Sequence, residues 1–349
     1  MKTDGRFAEY ALVREMMETG GIIRSFDPQQ TADVAAAIQE RGRLLLTGEG
    51  SSRIFPAKHA IRAALCAGVD CRIHTEGARQ AAEYALSDWA VFLASNSGRT
   101  SEVVALARSL KDAGNPNRYA LTAEQDTVLG SFCSETFVLR CGNEDAVAAT
   151  KSVVEQALFY DALVAHLGAR LGARAGVRLS NTGSGAGLGE LADAFDSVLT
   201  LSIDPELVAA AGSASTIYFA GYNDGVAEEL TLKTNEITRK KSDFLEGTYA
   251  VHGIEEVMDP GDVVVVVDPM PEEIDKFRKV LVDGVGLTVL AIADRDTPFP
   301  TIRIPRVEFG AAYLQLAAGW NLLVEIGLHL GINLDKPTRA RKVGNEVAG

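Results

Sequence analysis

The chain of 349 residues is long enough for two domains, each with its own core, and with 47% hydrophobic and 23% charged residues it has the balance of a globular protein. A formal charge of −13 argues against nucleic acid as the main ligand, because duplex binding draws its affinity from basic patches that displace counterions. No stretch approaches the roughly 18 to 20 unbroken apolar residues of a membrane span, so no membrane partner is expected.

The first twenty residues lack the apolar centre of a signal peptide and read as an amphipathic helix, from which a cytoplasmic location is expected. After residue 40, short apolar runs alternate with longer stretches of helical period. Strands are predicted at residues 43–47, 90–94, 119–122 and 136–140, and helices at 56–67, 77–86, 100–113 and 146–167. Such alternation is the mark of a parallel sheet covered by helices. Cys66, Cys71, Cys133 and Cys141 form no CxxC pair and are expected to be buried, reduced thiols.

Residues 167–190, rich in Gly, Ser and Arg, read as a domain junction, followed by helices at 191–199 and 205–211. The pattern then restarts. TIYFAGYND (216–224) resembles RLLLTGEGSS (43–52), and DVVVVVDPMPEE (262–273) takes the place of AVFLASNSGRTSE (90–102). LTVLAIAD and TIRIPRV supply two further strands and residues 311–331 a closing helix. The chain therefore reads as an α/β protein built from two tandem doubly wound units. The expected division is an N-terminal helical segment at 1–40, a first domain at 41–170, a second at 171–332 and a tail at 333–349.

In open α/β sheets, ligands bind where strand ends meet helix N-termini, and free N–H groups there favour an anion. Ser95, Asn96, Ser97 and Thr100 occupy such a junction, with Gly98 allowing close approach of backbone. These residues fit either a phosphate cradle or an ordinary polar loop with a helix cap. A second turn, Gly48-Glu49-Gly50-Ser51-Ser52, would lie beside it. Neither is a Walker A loop or a dinucleotide fingerprint, which points to a monophosphate rather than a nucleotide. The matching loop of the second copy, Asp268-Pro269-Met270-Pro271-Glu272, carries acids and prolines. That copy is expected to have lost phosphate binding and to be free to contribute chemistry.

Glu229, Lys233 and Glu236 are spaced to share one helix face, an arrangement suited to proton transfer and equally to a solvated ion pair. His252 follows in a loop, and its titration near neutrality suits acid and base work. Lys342 lies in a basic tail. His59, His74, His166 and His329 show no metal-ligand spacing, and no metal or cofactor is expected.

These residues resemble a family, the tandem SIS (sugar isomerase) domain proteins, and among them most closely the isomerase domains of glucosamine-6-phosphate synthases and the related deaminases and deglycases. The family's Ser-x-Ser-Gly-x-Thr loop matches residues 95–100, with Ser52 before it. Its Val-Ala-Ser-Thr-Lys segment matches residues 147–151, with Ala149 in place of serine. Its Glu-x-x-x-Lys-x-x-Glu helix, followed sixteen residues later by His, matches Glu229, Lys233, Glu236 and His252, although Val251 and Ile254 depart from its Lys-His-Gly-Pro. Its Asp-x-Pro tail with a later Lys matches Asp335, Pro337 and Lys342.

The resemblance implies that Ser52, Ser95, Asn96, Ser97 and Thr100 hold a sugar phosphate, and that Val147, Ala149, Glu229 and Lys233 contact or frame the sugar. It also implies that Glu236 moves a proton between C1 and C2, that His252 from a neighbouring subunit assists ring opening, and that Lys342 stands at the open-chain sugar. A homodimer with shared active sites follows. With no glutamine-hydrolysing domain expected, the implied activity is isomerising deamination of glucosamine 6-phosphate. The alternatives are deglycation of fructose-amino-acid 6-phosphates, plain aldose/ketose phosphate isomerisation, and a sugar-phosphate sensor without turnover.

Overall fold

The structure, a computed structural model, describes residues 7, 9–171, 186–341 and 345–347. Helices α1 (Ala11–Ser25) and α2 (Ala32–Arg41) lead into β1 (Arg43–Gly48), α3 (Ile54–Ala67), β2 (Arg72–Gly77), the single turn α4 (Ala78–Ala81), β3 (Ala90–Ala94), α5 (Ser101–Asp112), β4 (Arg118–Thr122), β5 (Glu135–Val138) and α6 (Lys151–Leu171). There follow α7 (Ala186–Leu199), α8 (Pro205–Ser213), β6 (Thr216–Gly221), α9 (Val226–Lys233), β7 (Lys241–Glu246), β8 (Val263–Val267), the single turn α10 (Ile274–Phe277), β9 (Thr288–Ala293), β10 (Thr301–Arg303) and α11 (Ala311–His329).

The strands form two five-stranded sheets, ordered β2-β1-β3-β4-β5 and β7-β6-β8-β9-β10, and every pairing is parallel. Counted within each half, both orders are 2-1-3-4-5, a doubly wound arrangement in which ligands bind where the winding reverses. Two compact units result. One draws its described residues from Gly21–Asp145, Ala149–Glu190 and Ala340–Gly349 and holds the first sheet; the other draws them from Met1–Gly20, Ala146–Ala148 and Leu191–Arg339 and holds the second.

Each central strand is buried on both faces, so it is apolar throughout rather than alternating. In β3, Phe92 packs on Phe159 of α6 at 5.5 Å between ring centroids, while Val91 and Leu93 point the other way into Leu45, Val103 and Ala107. Full burial of side chains this large contributes about 1.5–3 kcal/mol each. In β8, Val264 and Val266 meet Phe277, Leu281 and Val289 on one face. In the same unit, α11 is apolar on almost every side because it is buried along most of its length. Among the described residues, no helix is long and apolar enough to cross a membrane.

The helix expected at 77–86 is only the single turn Ala78–Ala81, and three further features differ from expectation for physical reasons. Strands β2 and β7 escaped the sequence reading because they are edge strands: RIHTEG and KSDFLE are half exposed and carry polar residues where a central strand would be apolar. The helix expected at 146–167 begins only at Lys151, because Glu144 takes the Thr150 N–H at 2.7 Å and holds the preceding residues out of the helix. Of the four free thiols only Cys141 is buried and Cys66 is exposed. Burial pushes Cys71 up to about 11 and Cys133 up to about 12, so neither is a thiolate near neutral pH. Most of the expected junction at 167–190 lies outside the described residues.

Candidate active site

The loop after β3 is tied at both ends before any ligand arrives. Ser95 is buried and its N–H continues the ladder to Leu121 O at 3.1 Å. The Gly98 N–H returns to Ser95 O at 2.9 Å, while the segment after β4 holds the loop through Ala123 N to Asn96 O at 2.9 Å and Leu129 N to Gly98 O at 3.0 Å. Gly98 has φ +62°, and a Cβ there would fall 2.4 Å from Thr127 Cβ, so both backbone conformation and space demand glycine. The Ser95 and Thr100 hydroxyls are 2.8 Å apart, and Arg99 N–H bonds to Ser97 Oγ at 3.3 Å. Thr100 precedes α5 without capping it with its side chain. Asn96 donates to Gly142 O at 3.5 Å, and its Oδ1 is buried with no hydrogen-bond partner.

The Gly50–Ser52 turn stands beside this loop. A Cβ on Gly48 would lie 2.9 Å from Ser52 O and 3.0 Å from Ala94 O, so the turn and the end of β3 converge on that glycine. The turn is held by Gln156 of α6, which donates to Ser52 O at 2.5 Å. Glu49 in the same turn accepts from Ala78 N at 2.8 Å; its burial holds the carboxyl above the usual range, opposed by that hydrogen bond. Val147 and Ala149 are half-buried, alternating with buried Ala146, Ala148 and Thr150. Gln156, Thr127 and Glu144 are supports that sequence reading missed.

In the other unit, the helix expected to carry Glu229, Lys233 and Glu236 on one face changes form partway. Asp224 accepts from Val226 N at 3.1 Å at the start of α9, and the helix passes at Thr234 into a π-helical turn, Thr234–Thr238. Thr234 donates to Leu230 O at 2.8 Å and Thr238 to Thr234 O at 2.6 Å, side-chain bonds that compete with the regular ladder. Helix α9 approaches α11 closely at Gly319, where a Cβ would fall 2.3 Å from Leu230 Cδ2. The widened turn ends at Arg239, with φ +57° and its guanidinium on Asn333 O at 2.8 Å and Lys336 O at 3.0 Å.

Across this junction the Lys233 ammonium lies 2.7 Å from Glu236 Oε2 and 3.3 Å from Glu229 Oε1. Lys233 and Glu229 have no exposed surface, whereas the Glu236 side chain is 25% exposed. Burial works against the Lys233 charge, but Glu236 and Glu229 outweigh it and hold the ammonium above its ordinary value. One buried cation thus fixes two carboxylates, of which only Glu236 reaches solvent. His252 is not part of the cluster: it is exposed, and its Nε2 is 3.3 Å from Lys276 Nζ. Lys342 lies outside the described residues. Among the described residues, no group of three or more His, Cys, Asp and Glu could hold a metal ion.

Residues 37–166 match the SIS domain family model. No curated protein sequence matches the chain. Solved structures do. The C-terminal domain of glucosamine-fructose-6-phosphate aminotransferase from Francisella tularensis has a TM-score of 0.72 at 16% identity, covering 97% of this chain and 100% of that one. Tagatose-6-phosphate ketose/aldose isomerase from Escherichia coli has 0.72 at 17% identity, covering 95% and 98%. Glucosamine-6-phosphate deaminase from Thermotoga maritima has 0.71 at 20% identity, covering 95% and 99%. At these identities the likeness is one of fold. Residues 37–166 are thus similar to the SIS domain, and the second sheet repeats the strand order of the first.

Proposed function

We propose that the protein is an isomerising deaminase that converts glucosamine 6-phosphate and water into fructose 6-phosphate and ammonia. The observation that carries the reading is the Lys233–Glu236 contact at 2.7 Å: a carboxylate oriented by a buried ammonium and still open to solvent. In the open-chain sugar, Glu236 removes the proton from C2 and the electron pair forms an enolamine. A proton returned to C1 gives the C2 imine, which water hydrolyses to the ketone as ammonia leaves. Lys233 and Glu229 position this base rather than exchange the proton themselves. General acid–base catalysis of this kind contributes about 10²–10⁴-fold.

The Ser95–Thr100 loop and Ser52 are assigned to the phosphate, whose binding energy can be used for orientation. The buried, partnerless Asn96 Oδ1 suits a ligand hydroxyl at the same loop. Val147 and Ala149 are assigned to the sugar, and His252 and Lys342 to ring opening and the carbonyl, with a homodimer sharing its sites. The E. coli neighbour described as a ketose/aldose isomerase represents the reading without nitrogen loss. Incubation with glucosamine 6-phosphate separates them. Fructose 6-phosphate and ammonia appearing together support deamination; isomerisation of hexose 6-phosphates with no ammonia release overturns it.

A further inference from the structure

The second sheet has its own cavity at the carboxyl ends of its strands, where open α/β sheets take ligands. It has a volume of about 890 Å³, within the range of small-molecule sites. Its walls include Tyr222 after β6, Asp268 after β8, Asp294 and Arg295 after β9, and Arg303 and Arg306 at and beyond the end of β10. The loss of hydroxyls from the 268–272 loop therefore does not leave this strand end bare. On a chain of charge −13, three guanidiniums gather here, balanced by Asp268, Asp294 and Asp296.

The charges are unequal in freedom. Arg295 is fixed, donating to Asp268 Oδ1 at 2.8 Å, to Asp294 Oδ1 at 3.3 Å and to Pro269 O. It helps hold Asp268 at φ +48°, a left-handed conformation that non-glycine residues rarely adopt and that is often kept at ligand sites. Arg295 thus pairs with both carboxylates, which remain partly exposed, at 34% for Asp268 and 28% for Asp294. The other two arginines are loosely held. Arg306 is 89% exposed and 3.8 Å from Asp294, and Arg303 pairs with Asp296, whose carboxylate is fully exposed. Surface pairs of this type are worth about 0–1 kcal/mol, so an anion displaces them at little cost.

We propose that this cavity is a second ligand site, separate from the Ser95–Thr100 loop, that binds a phosphorylated polyol. Arg303 and Arg306 receive the phosphate through charge-assisted hydrogen bonds, and the outward oxygens of Asp268 and Asp294 accept from hydroxyls. No bond is made or broken, and the site stands whether or not the deaminase reading is correct.

The test is calorimetric titration of the full chain with glucitol 6-phosphate, which has no carbonyl and is not turned over. A Ser97→Ala/Thr100→Val variant weakens the first-sheet loop. In that variant one equivalent per chain is expected to remain, and adding Arg303→Ala and Arg306→Ala should weaken it about tenfold or more. The matching lysine changes, which keep the charges, should retain part of the affinity and show that the fold survives. Unphosphorylated glucitol should not compete. Absence of binding in the wild type, loss of all binding in the loop variant alone, or binding unchanged by both alanine substitutions would overturn the proposal.

Discussion

The Lys233 ammonium, with no exposed surface, donates to Glu236 Oε2 at 2.7 Å across the point where a regular helix becomes a π-helical turn. An ordinary helical continuation would also place residues three apart on one face. Glu236 keeps this contact while a quarter of its side chain stays exposed.

Replacing Lys233 by Met is expected to destabilise the fold by about 3–5 kcal/mol, because Glu229 would lose its ammonium in a site with no exposed surface. Urea unfolding reads this directly, and Glu229→Gln added to Lys233→Met should recover part of the loss. The pH dependence has a definite sign. A lysine held above its ordinary 10.5 contributes fully below that value, and the contribution is lost only as pH rises through the folded value. Wild-type stability from this cluster should therefore persist to pH 10.

Gly98→Ala should remove binding at the first-sheet loop. At φ +62° with Thr127 Cβ 2.4 Å from the new Cβ, the loop must shift, at a cost of about 1–3 kcal/mol. Thermal melting with and without inorganic phosphate separates the effects: the variant should melt lower and lose the loop's share of the phosphate-induced rise.

The described end of the chain docks beside the same loop. Asn345 O accepts from Ser101 N at 3.0 Å, Val347 N donates to Arg99 O at 3.0 Å, and Asn345 Nδ2 donates to Glu102 Oε1 at 2.7 Å. Burial raises the Glu102 pKa, but hydrogen bonds from Asn345, its own N–H and Ser101 outweigh it and hold the carboxyl below 4.5. Docking stability is therefore present above pH 4.5 and lost as pH falls through the folded value. The Val347 amide resonance should move in an acid titration of the wild type and lose that dependence in Glu102→Gln.

Much of the architecture was legible in the chain. Apolar runs such as AVFLA and VVVVV announce central strands, and their recurrence announces two copies of one unit. The polar edge strands β2 and β7 were not legible, since a half-exposed RIHTEG or KSDFLE carries neither a buried run nor a clean alternation. The hydroxyl-rich 95–100 loop could be placed because a strand precedes it and a helix follows. Its supports could not: Thr127 against Gly98 and Gln156 on Ser52 O are long-range contacts with no local signature. The spacing of Glu229, Lys233 and Glu236 foretold a shared face, but not the π turn, in which Thr234 and Thr238 bond carbonyls four residues back. The exposed position of His252 beside Lys276 likewise had no local signature.

Proton transfer by Glu236 is tested most directly by running the reaction from glucosamine 6-phosphate in D2O and reading deuterium at C1 of the fructose 6-phosphate by NMR. Deuterium at C1 with the wild-type protein, and a rate reduced about 10²–10⁴-fold in a normally folded Glu236→Gln variant, is the predicted result. Wild-type turnover matched by Glu236→Gln, with the same deuterium at C1, would contradict the account.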